Sequence, residues 1–210
     1  MSKLLNLLKK NKMTLIVQLA EDTVDAARAA EAGGAEALLI EKSEKQEEIL
    51  KAVKIPVGLD LSQEAKLTEK ELKAYEKFDF INFHFEVLPI IAKQVKTGRV
   101  LALNENYTLD KLLGVESVGA QAIDAAIVPL SQGMRELVVG DLQNYIAIAL
   151  SSNLPVIIPT QRSIKPSEVA IIADTGARGL LLTREVLGEN LKTLEKALKE
   201  YRVAVDDLGG

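Results

Sequence analysis

The chain has 210 residues, of which 48% are hydrophobic and 27% charged, and its net charge is −4. This length and apolar content are enough for one substantial core, so a single domain is predicted over residues 1–210. The scattered charges and the absence of Trp disfavour nucleic acid as a partner, and no apolar run is long enough to cross a membrane. The absence of cysteine excludes disulfides, cysteine-bound zinc and thiol catalysis, and with no secretory cleavage site near the N-terminus it favours a cytoplasmic protein.

Short β-rich runs alternate with amphipathic segments along the chain, a pattern typical of βα units on a parallel sheet. A helix is predicted first, at Lys3–Lys10. The strands are then predicted, in chain order, at residues 14–20, 35–41, 56–61, 79–84, 99–105, 124–130, 155–160 and 178–184. A helix is predicted after each strand, including residues 87–96 after the fourth and 108–119 after the fifth. The helix after the third strand begins at Thr68 with Glu71 three residues on, which predicts a capping box.

Eight strands, each followed by a helix, predict an α/β protein with a (β/α)8 TIM barrel, short for that fold and with an extra N-terminal helix. A doubly wound open sheet is the alternative, but such sheets usually have five or six strands and a Gly-rich first turn. Here the first strand runs into QLAEDT, which lacks that turn. A faint repeat also relates strands two and three to strands six and seven, an offset that half-barrel duplication would produce.

Polar residues recur at the carboxyl ends of the predicted strands, where barrel enzymes hold their chemistry. Strand side chains alternate between the barrel interior and the helix layer, so the alternation predicts which of them face inward. The inferred mouth of the barrel contains Gln18, Glu41 or Lys42, Asp60, Asn82, His84, Asn104, Asn106, Thr160 and Thr183. Burying polar groups without partners costs roughly 1–3 kcal/mol each, so their convergence indicates a wet pocket that binds a ligand.

This mouth could support acid–base chemistry. Asp60 and His84 lie on adjacent predicted strands, where a carboxylate would raise the imidazole pKa and fix its tautomer. Lys42 could polarise a carbonyl or form a Schiff base if it points inward, and Glu41 is the other candidate from that turn. The residues suited to substrate hydroxyls or carbonyls are Gln18, Asn82, Asn104, Asn106 and Thr160. No ligand spacing argues for a metal held by these oxygens, so no metal and no cofactor are predicted.

Each of these residues also has a purely structural interpretation. His84, the only histidine, could be a satisfied half-buried side chain, and Asp60 could cap a loop or a helix. The asparagines could satisfy loop backbone groups, and Glu41 and Lys42 could form a solvated pair at the rim. The functional interpretation depends on all of these side chains lying close together at the carboxyl end of the barrel.

The segment over residues 154–188, LPVIIPTQRSIKPSEVAIIADTGARGLLLTREVLG, resembles the phosphate-binding (β/α)8 barrels. PVIIPTQRSIKPSEV, ADTGARGLLL and TREVLG follow the family order of strand, turn, helix start, second strand and short helix. The family includes thiamin-phosphate synthase, indole-glycerol-phosphate synthase and N-acetylmannosamine-6-phosphate 2-epimerase. The resemblance covers about a sixth of the chain. It implies a phosphate site at the turns after strands seven and eight.

Those two turns depart from the family pattern. Arg162 and Ser163 stand where the family has Ser-Gly, and Thr183 and Arg184 stand where it has Gly-Thr. Glycine lets backbone N–H groups approach a phosphate without a Cβ in the way, so backbone cradling is weakened, whereas arginine binds phosphate and carboxylate well. All four residues are therefore predicted to bind an anion. The alternative is that both arginines are surface charges paired with nearby glutamates.

Together these expectations describe a cytoplasmic lyase or isomerase acting on a phosphorylated or carboxylated sugar- or polyol-like substrate. Asp60 and His84 would be acid and base, Lys42 would polarise a carbonyl, and the anion-binding turns would hold the charged end. Two alternatives stay open. A non-catalytic barrel with a degenerate phosphate site could be a binding or assembly subunit, and a homo-oligomer is possible for either interpretation. A barrel that binds flavin mononucleotide would use the same turns.

Overall fold

The computed structural model describes residues 2–64, 67–86, 95–188 and 190–209. Eight parallel strands form a closed barrel in which each strand pairs with the next and the last pairs with the first. The strands are β1 Thr14–Gln18, β2 Ala37–Ile40, β3 Val57–Leu61, β4 Phe80–His84, β5 Gly98–Ala102, β6 Ala122–Asp124, β7 Val156–Pro159 and β8 Gly179–Leu182. The predicted fold class, a TIM barrel with an N-terminal helix, is confirmed.

The helices of the described residues pack outside the barrel or cover one of its ends. The α-helices are α1 Lys3–Lys10, α2 Val24–Ala32, α3 Gln46–Ala52, α4 Glu69–Ala74, α5 Val139–Ser151, α6 Val169–Asp174, α7 Arg184–Leu187 and α8 Leu191–Asp206. The capping box at the start of α4 forms as predicted. The helix predicted over residues 108–119 is only a 3-10 turn at Leu109–Leu112, and the one predicted over 87–96 lies mostly outside the described residues. Within the described part of the chain, no helix combines the length and the apolarity needed to cross a membrane.

Strand β6 lies earlier in the chain than predicted, at Ala122–Asp124 rather than at residues 124–130. A recurring Gly-Ala-x-Ala/Gly segment leads directly into β2, β6 and β8, at residues 34–37, 119–122 and 176–179. Its glycine has a φ of 98°, 111° and 92° in the three copies, a left-handed conformation that glycine adopts without strain. The alanine that follows is buried each time. This turn sets the start of each strand, and it places Asp124 at the carboxyl end of β6.

Helix α1 covers the amino-terminal end of the barrel. Leu4, Leu5 and Leu8 join the apolar cluster inside the barrel, together with inward side chains such as Phe80. Two backbone N–H groups at the start of α1 donate to the Asp79 carboxylate, at 2.8 and 2.9 Å, just before β4 begins. A second and larger core lies between the strands and the outer helices. Because one end of the interior is apolar and covered, the carboxyl end is left for polar groups.

If α1 seals the barrel, truncating its central leucine should be costly. Leu8 is 0% exposed, and we expect Leu8→Ala to lower the free energy of unfolding by about 2–5 kcal/mol. Leu150→Ala is the matched control, because Leu150 is 82% exposed on α5 and should change stability by less than about 0.5 kcal/mol. Denaturant unfolding measures both. Equal effects of the two changes would contradict this role of α1.

Candidate functional site

The inward positions of β1, β3 and β4 become polar toward their carboxyl ends. Asp60 and Asn82 are register partners on β3 and β4. Two residues earlier, Gly58 faces the interior so closely that a Cβ built on it would lie 2.2 Å from the Phe80 ring. Alternation then directs Asp60 inward above that ring, and Gln18 Nε2 lies 3.5 Å from Asp60 Oδ2. These side chains therefore share the interior just beneath the mouth.

Asn82 and Asp124 form the most deeply buried polar pair of the mouth. They are 3% and 4% exposed, and Asn82 Nδ2 donates to Asp124 Oδ2 at 2.8 Å. The bond joins β4 to β6 across the interior. Among the described residues, nothing donates to the other oxygen of either side chain, Asn82 Oδ1 or Asp124 Oδ1. Buried polar atoms without partners are rare and costly, so these two oxygens indicate where a water molecule or a ligand group binds.

Burial changes the acidity of the carboxyl groups at this end of the barrel. Burial raises the pKa of Asp124 to about 7; the hydrogen bond from Asn82 opposes this rise and the charge of Asp60 adds to it. Burial also raises the pKa of Asp60, although hydrogen bonds from Ser62 oppose the change, and the charge of Glu41 raises it further. Two carboxyl groups with raised pKa values thus face one interior.

The turn after β2 sends Glu41 and Lys42 in different directions. Glu41 donates its backbone N–H to Asp22 Oδ2 at 3.1 Å, and burial raises the pKa of Asp22 to about 6, with the Glu41 charge adding to the rise. Lys42 Nζ lies 3.0 Å from Glu64 Oε1 and 5.4 Å from the centre of the Tyr75 ring. Burial lowers the pKa of Lys42, but Tyr75 and Glu64 outweigh it, so the net pKa is raised. Lys42 is a protonated partner of Glu64, and its role as a Schiff base, predicted only for a side chain that points inward, stays a prediction.

His84 bonds to Asn104 and not to Asp60. His84 Nε2 lies 2.8 Å from Asn104 Nδ2, and Asn104 Oδ1 accepts the backbone N–H of Asn106 at 3.0 Å. Because that second bond fixes the amide orientation, Asn104 donates to the imidazole. The side chain of Asn106 is exposed. No hydrogen bond or ion pair joins His84 to Asp60 within the described residues, so their pairing as acid and base stays a prediction. The carboxyl group on which the charge of Asp60 acts from inside the barrel is Asp124, whose pKa it raises.

The two threonines of the predicted anion site bind each other. Thr183 donates its backbone N–H to Thr160 Oγ1 at 2.9 Å, the two hydroxyl oxygens are 2.9 Å apart, and both residues are buried. Ser163 donates its backbone N–H to the carbonyl of Arg135 at 2.9 Å. Backbone donors that a phosphate cradle would need are therefore used inside the protein, and the threonines join β7 to β8.

The two arginines of the predicted anion site lie in opposite environments. Arg162 is buried and forms a two-pronged ion pair with Asp141, with Nε–Oδ2 and Nη2–Oδ1 distances of 3.0 and 2.9 Å, while Nη1 donates to the carbonyl of Gln132 at 2.6 Å. It holds the start of α5 against the turn after β7. Arg162 is thus not a surface charge, because its guanidinium is buried and bonded within the protein. Arg184 has a side chain 73% exposed, with Nε 3.8 Å from Glu185 Oε1.

Asp124 is the site residue that sequence reasoning missed. The prediction began strand six at Asp124, which would put this side chain at the opposite end of the barrel. The Gly-Ala-x-Ala segment at residues 119–122 is the signal that could have corrected it, because it matches the segment before β2. Asp22 lies in the turn after β1 and was not singled out either, since nothing local distinguishes a buried turn carboxylate from an exposed one.

Comparison with known proteins supports the fold. The chain resembles the thiamine phosphate pyrophosphorylase of Pyrococcus furiosus, with a TM-score of 0.70 and 20% identity over 95% of this chain and 98% of that one. It also resembles the phosphoribosyl anthranilate isomerase of Thermus thermophilus, with a TM-score of 0.69 and 16% identity over 93% and 100%. A KDPGal structure gives a TM-score of 0.67 and 19% identity over 92% and 94%. No family model and no curated protein matches the sequence.

The resemblance to phosphate-binding barrels seen in the sequence is therefore confirmed at the level of the fold. The similar structures contain a thiamine phosphate enzyme, one of the types that the segment over residues 154–188 resembles. At 20% identity or less the likeness describes the scaffold, and the chemistry must be argued from the side chains of this chain.

Asp124→Asn should remove a pH-dependent loss of stability. The folded pKa of about 7 lies above the ordinary 3.8, so the wild type has its full stability below about pH 4 and loses it as pH rises through 7. A neutral asparagine avoids this loss. We expect the variant to be more stable than the wild type by a few kcal/mol, on the order of the pKa shift, at pH 8, with the advantage vanishing near pH 4.

Denaturant unfolding between pH 4 and pH 8 measures this difference. Glu195→Gln, on the exposed face of α8, is the control and should follow the wild type across the range. An Asp124→Asn variant whose stability relative to the wild type does not change with pH would show that Asp124 is an ordinary ionised carboxylate.

Arg162→Ala should act through stability, because it leaves Asp141 as an unpaired buried charge. We expect a loss of about 3–5 kcal/mol in unfolding free energy. Arg184→Ala, which truncates an exposed arginine, should stay within about 0.5 kcal/mol of the wild type. Chemical denaturation compares the two variants, and similar small effects of both would contradict a structural role for Arg162.

Proposed function

We propose that this barrel is an acid–base enzyme, a lyase or isomerase that acts on a small sugar- or polyol-like molecule bearing a phosphate or a carboxylate. The observation that carries the proposal is Asp124, a buried carboxyl group inside the mouth with a pKa of about 7 and an unpartnered oxygen. A group with this pKa both gives and takes protons at neutral pH, which is what general acid–base catalysis requires. Such shifts cluster at functional sites.

Asp60 is the second carboxyl group of the proposed catalytic pair. Two nearby carboxyl groups hold their protons unequally, because the first to ionise raises the pKa of the other. Asp60 Oδ1 accepts the Ser62 N–H at 2.9 Å, which favours its ionised form, whereas Asp124 is the more deeply buried. In the free enzyme Asp124 is therefore the proton carrier and Asp60 the charged partner. Gln18 and Asn82 orient the two carboxyl groups.

The other side of the mouth supplies neutral polar groups for the substrate. Asn104 and His84 form one linked unit at the ends of β4 and β5. Their remaining hydrogen-bonding capacity suits a substrate hydroxyl or carbonyl. At the rim, Ser163 and Arg184 are the groups left to meet a phosphate or carboxylate, because Arg162 and the two threonines are bound internally. The charged end of the substrate would then lie near solvent and the reacting end near Asp124.

Two of the similar structures bear on this proposal. Phosphoribosyl anthranilate isomerase and thiamine phosphate pyrophosphorylase are named for small phosphorylated molecules, and both share the barrel of this chain over almost all of its length. They support a small-molecule enzyme as the class. The roles of Asp60 and Asp124 rest on the geometry alone.

Solvent hydrogen exchange tests the proposal without a known substrate. An enzyme that removes a proton next to a carbonyl catalyses exchange of that position in D2O, which proton NMR follows. The panel is dihydroxyacetone, dihydroxyacetone phosphate and pyruvate. We expect exchange with at least one compound and a loss of about 10²–10⁴-fold in Asp124→Asn, the usual contribution of a general acid or base. Glu195→Gln is the surface control and should keep the full rate.

Arg184→Ala separates binding of the anion from proton transfer. If Arg184 meets the phosphate at the rim, this change should raise KM for the phosphorylated compound and leave exchange of dihydroxyacetone unchanged. No exchange with any compound, or exchange that persists in Asp124→Asn, would contradict the acid–base proposal.

The second candidate is a non-catalytic barrel that serves as a binding or assembly subunit. The observation that favours it is the internal use of the Ser163 and Thr183 backbone N–H groups, which removes donors from a phosphate cradle. The same loss counts against flavin mononucleotide, which would use those turns. A colourless protein without exchange activity, whose melting temperature is unaffected by phosphate and by flavin mononucleotide, would favour this candidate.

A further inference from the structure

The deep end of the mouth is acidic. Asp60 and Asp124 face its interior, and Asp22 and Glu41 lie beside them at the β1 and β2 turns. Two cations of the described residues in nearby turns are engaged elsewhere: Lys42 pairs with Glu64, and buried Arg162 pairs with Asp141. A ligand group bound here therefore meets negative charge in a water-poor interior, where electrostatic interactions are strong.

The unpartnered atoms at this end are oxygens, and both accept hydrogen bonds when Asp124 is ionised. Asn82 donates its amide nitrogen to Asp124 Oδ2, which leaves Asn82 Oδ1 as the atom without a partner. Asp124 Oδ1 is the second unpartnered oxygen. Both side chains are more than nine-tenths buried, so bulk water does not satisfy them. What is missing at this point is a group with several hydrogen-bond donors.

We propose that this end of the mouth binds a protonated amine of the substrate, between Asn82 Oδ1, Asp124 Oδ1 and the carboxylate of Asp60. An ammonium group carries three donors and one positive charge, so it meets both the unpartnered acceptors and the excess of carboxylates. A neutral hydroxyl offers one donor and no charge, and a phosphate or carboxylate would be repelled. The inference rests on the proposed function, because it assigns the substrate class of the same site.

An amine at this position would also determine whether Asp124 is protonated or ionised when the reaction begins. A nearby positive charge favours the ionised carboxylate and reduces the repulsion between Asp60 and Asp124. Asp124 then enters the complex as a base, ready to take a proton from a carbon close to the amine. The substrate class is therefore an amino polyol or amino sugar, and a phosphate or carboxylate on it would lie at the rim near Arg184, away from the acidic end.

Three probes of similar size test the sign of the charge: 3-amino-1,2-propanediol, glycerol and glyceric acid, which differ at one position. Each is titrated at pH 7 into the isotopically labelled protein, and NMR follows the side-chain amide signals of Asn82 and Gln18. We expect the amine to shift these signals with saturable dependence on concentration, and to bind about tenfold or more tightly than glycerol. Glyceric acid should leave these two signals in place.

Two isosteric variants locate the binding site. Asp124→Asn keeps the shape and removes the charge, so amine binding should weaken by about tenfold or more. Glu64→Gln is the matched control, because Glu64 is also a carboxylate near this end of the barrel but pairs with Lys42 outside the interior. This variant should bind the amine as the wild type does.

The inference is overturned if the amine shifts neither signal, if glycerol or glyceric acid binds as well as the amine, or if Asp124→Asn binds the amine with unchanged affinity. Failure here differs from failure of the proposed function. Hydrogen exchange of dihydroxyacetone, which has no amine, would still depend on Asp124 if only the substrate class were wrong.

Discussion

Closure of the eight-stranded sheet is the constraint on which the rest of this structure depends. A closed barrel directs every second strand side chain into one interior that outer helices cannot reach. At the amino-terminal end that interior holds leucines of α1 and the ring of Phe80. At the carboxyl end it holds Gln18, Asp60, Asn82 and Asp124. The same alternation thus produces a hydrophobic seal and a polar cluster within a few residues along β1, β3, β4 and β6.

Burying these polar side chains lowers the stability of the fold, but only a few residues at the carboxyl end of the barrel are involved. Asp124 lies under the mouth with one hydrogen bond to Asn82, and its ionised form is disfavoured by burial and by Asp60. A core built for stability alone would place an apolar side chain there. Retaining two carboxyl groups and two unpartnered oxygens in the interior is the arrangement expected of a site that gains its missing partners from a ligand.

The sequence predicts this architecture correctly wherever a local pattern alone determines the structure. Alternation along β4 directed Asn82 and His84 to the same face, and the capping box at Thr68 began α4. Alternation did not locate strand six in the run AIDAAIVPL, because a continuous apolar segment has no period that marks where the strand begins and ends. Strand six was therefore placed too late, and Asp124 was assigned to the wrong end of the barrel. The Gly-Ala-x-Ala segment at residues 119–122, and not hydrophobicity, indicates where strand six begins.

Charged side chains were harder to place because their directions depend on partners distant in the sequence. Lys42 turns away from the mouth toward Glu64 and the ring of Tyr75, and no local signal reports that choice. Arg162 resembles an anion ligand in a phosphate-type turn until Asp141 is brought beside it by α5. All three guanidinium nitrogens of Arg162 donate within the protein, which joins the start of α5 to the turn after β7.

Lys42 and Arg162 form ion pairs away from the barrel interior, and this changes the charge of the mouth. With Lys42 and Arg162 pointing inward it would have been a mixed site suited to an anion. With both removed, the carboxylates of Asp60 and Asp124 dominate, and the remaining guanidinium at Arg184 lies at the rim. The resemblance to phosphate-binding barrels describes the scaffold, while the directions of these two side chains set the charge at the carboxyl end of the interior. The proposed substrate, positive at its buried end and negative at its exposed end, matches the acidic interior and the arginine at the rim.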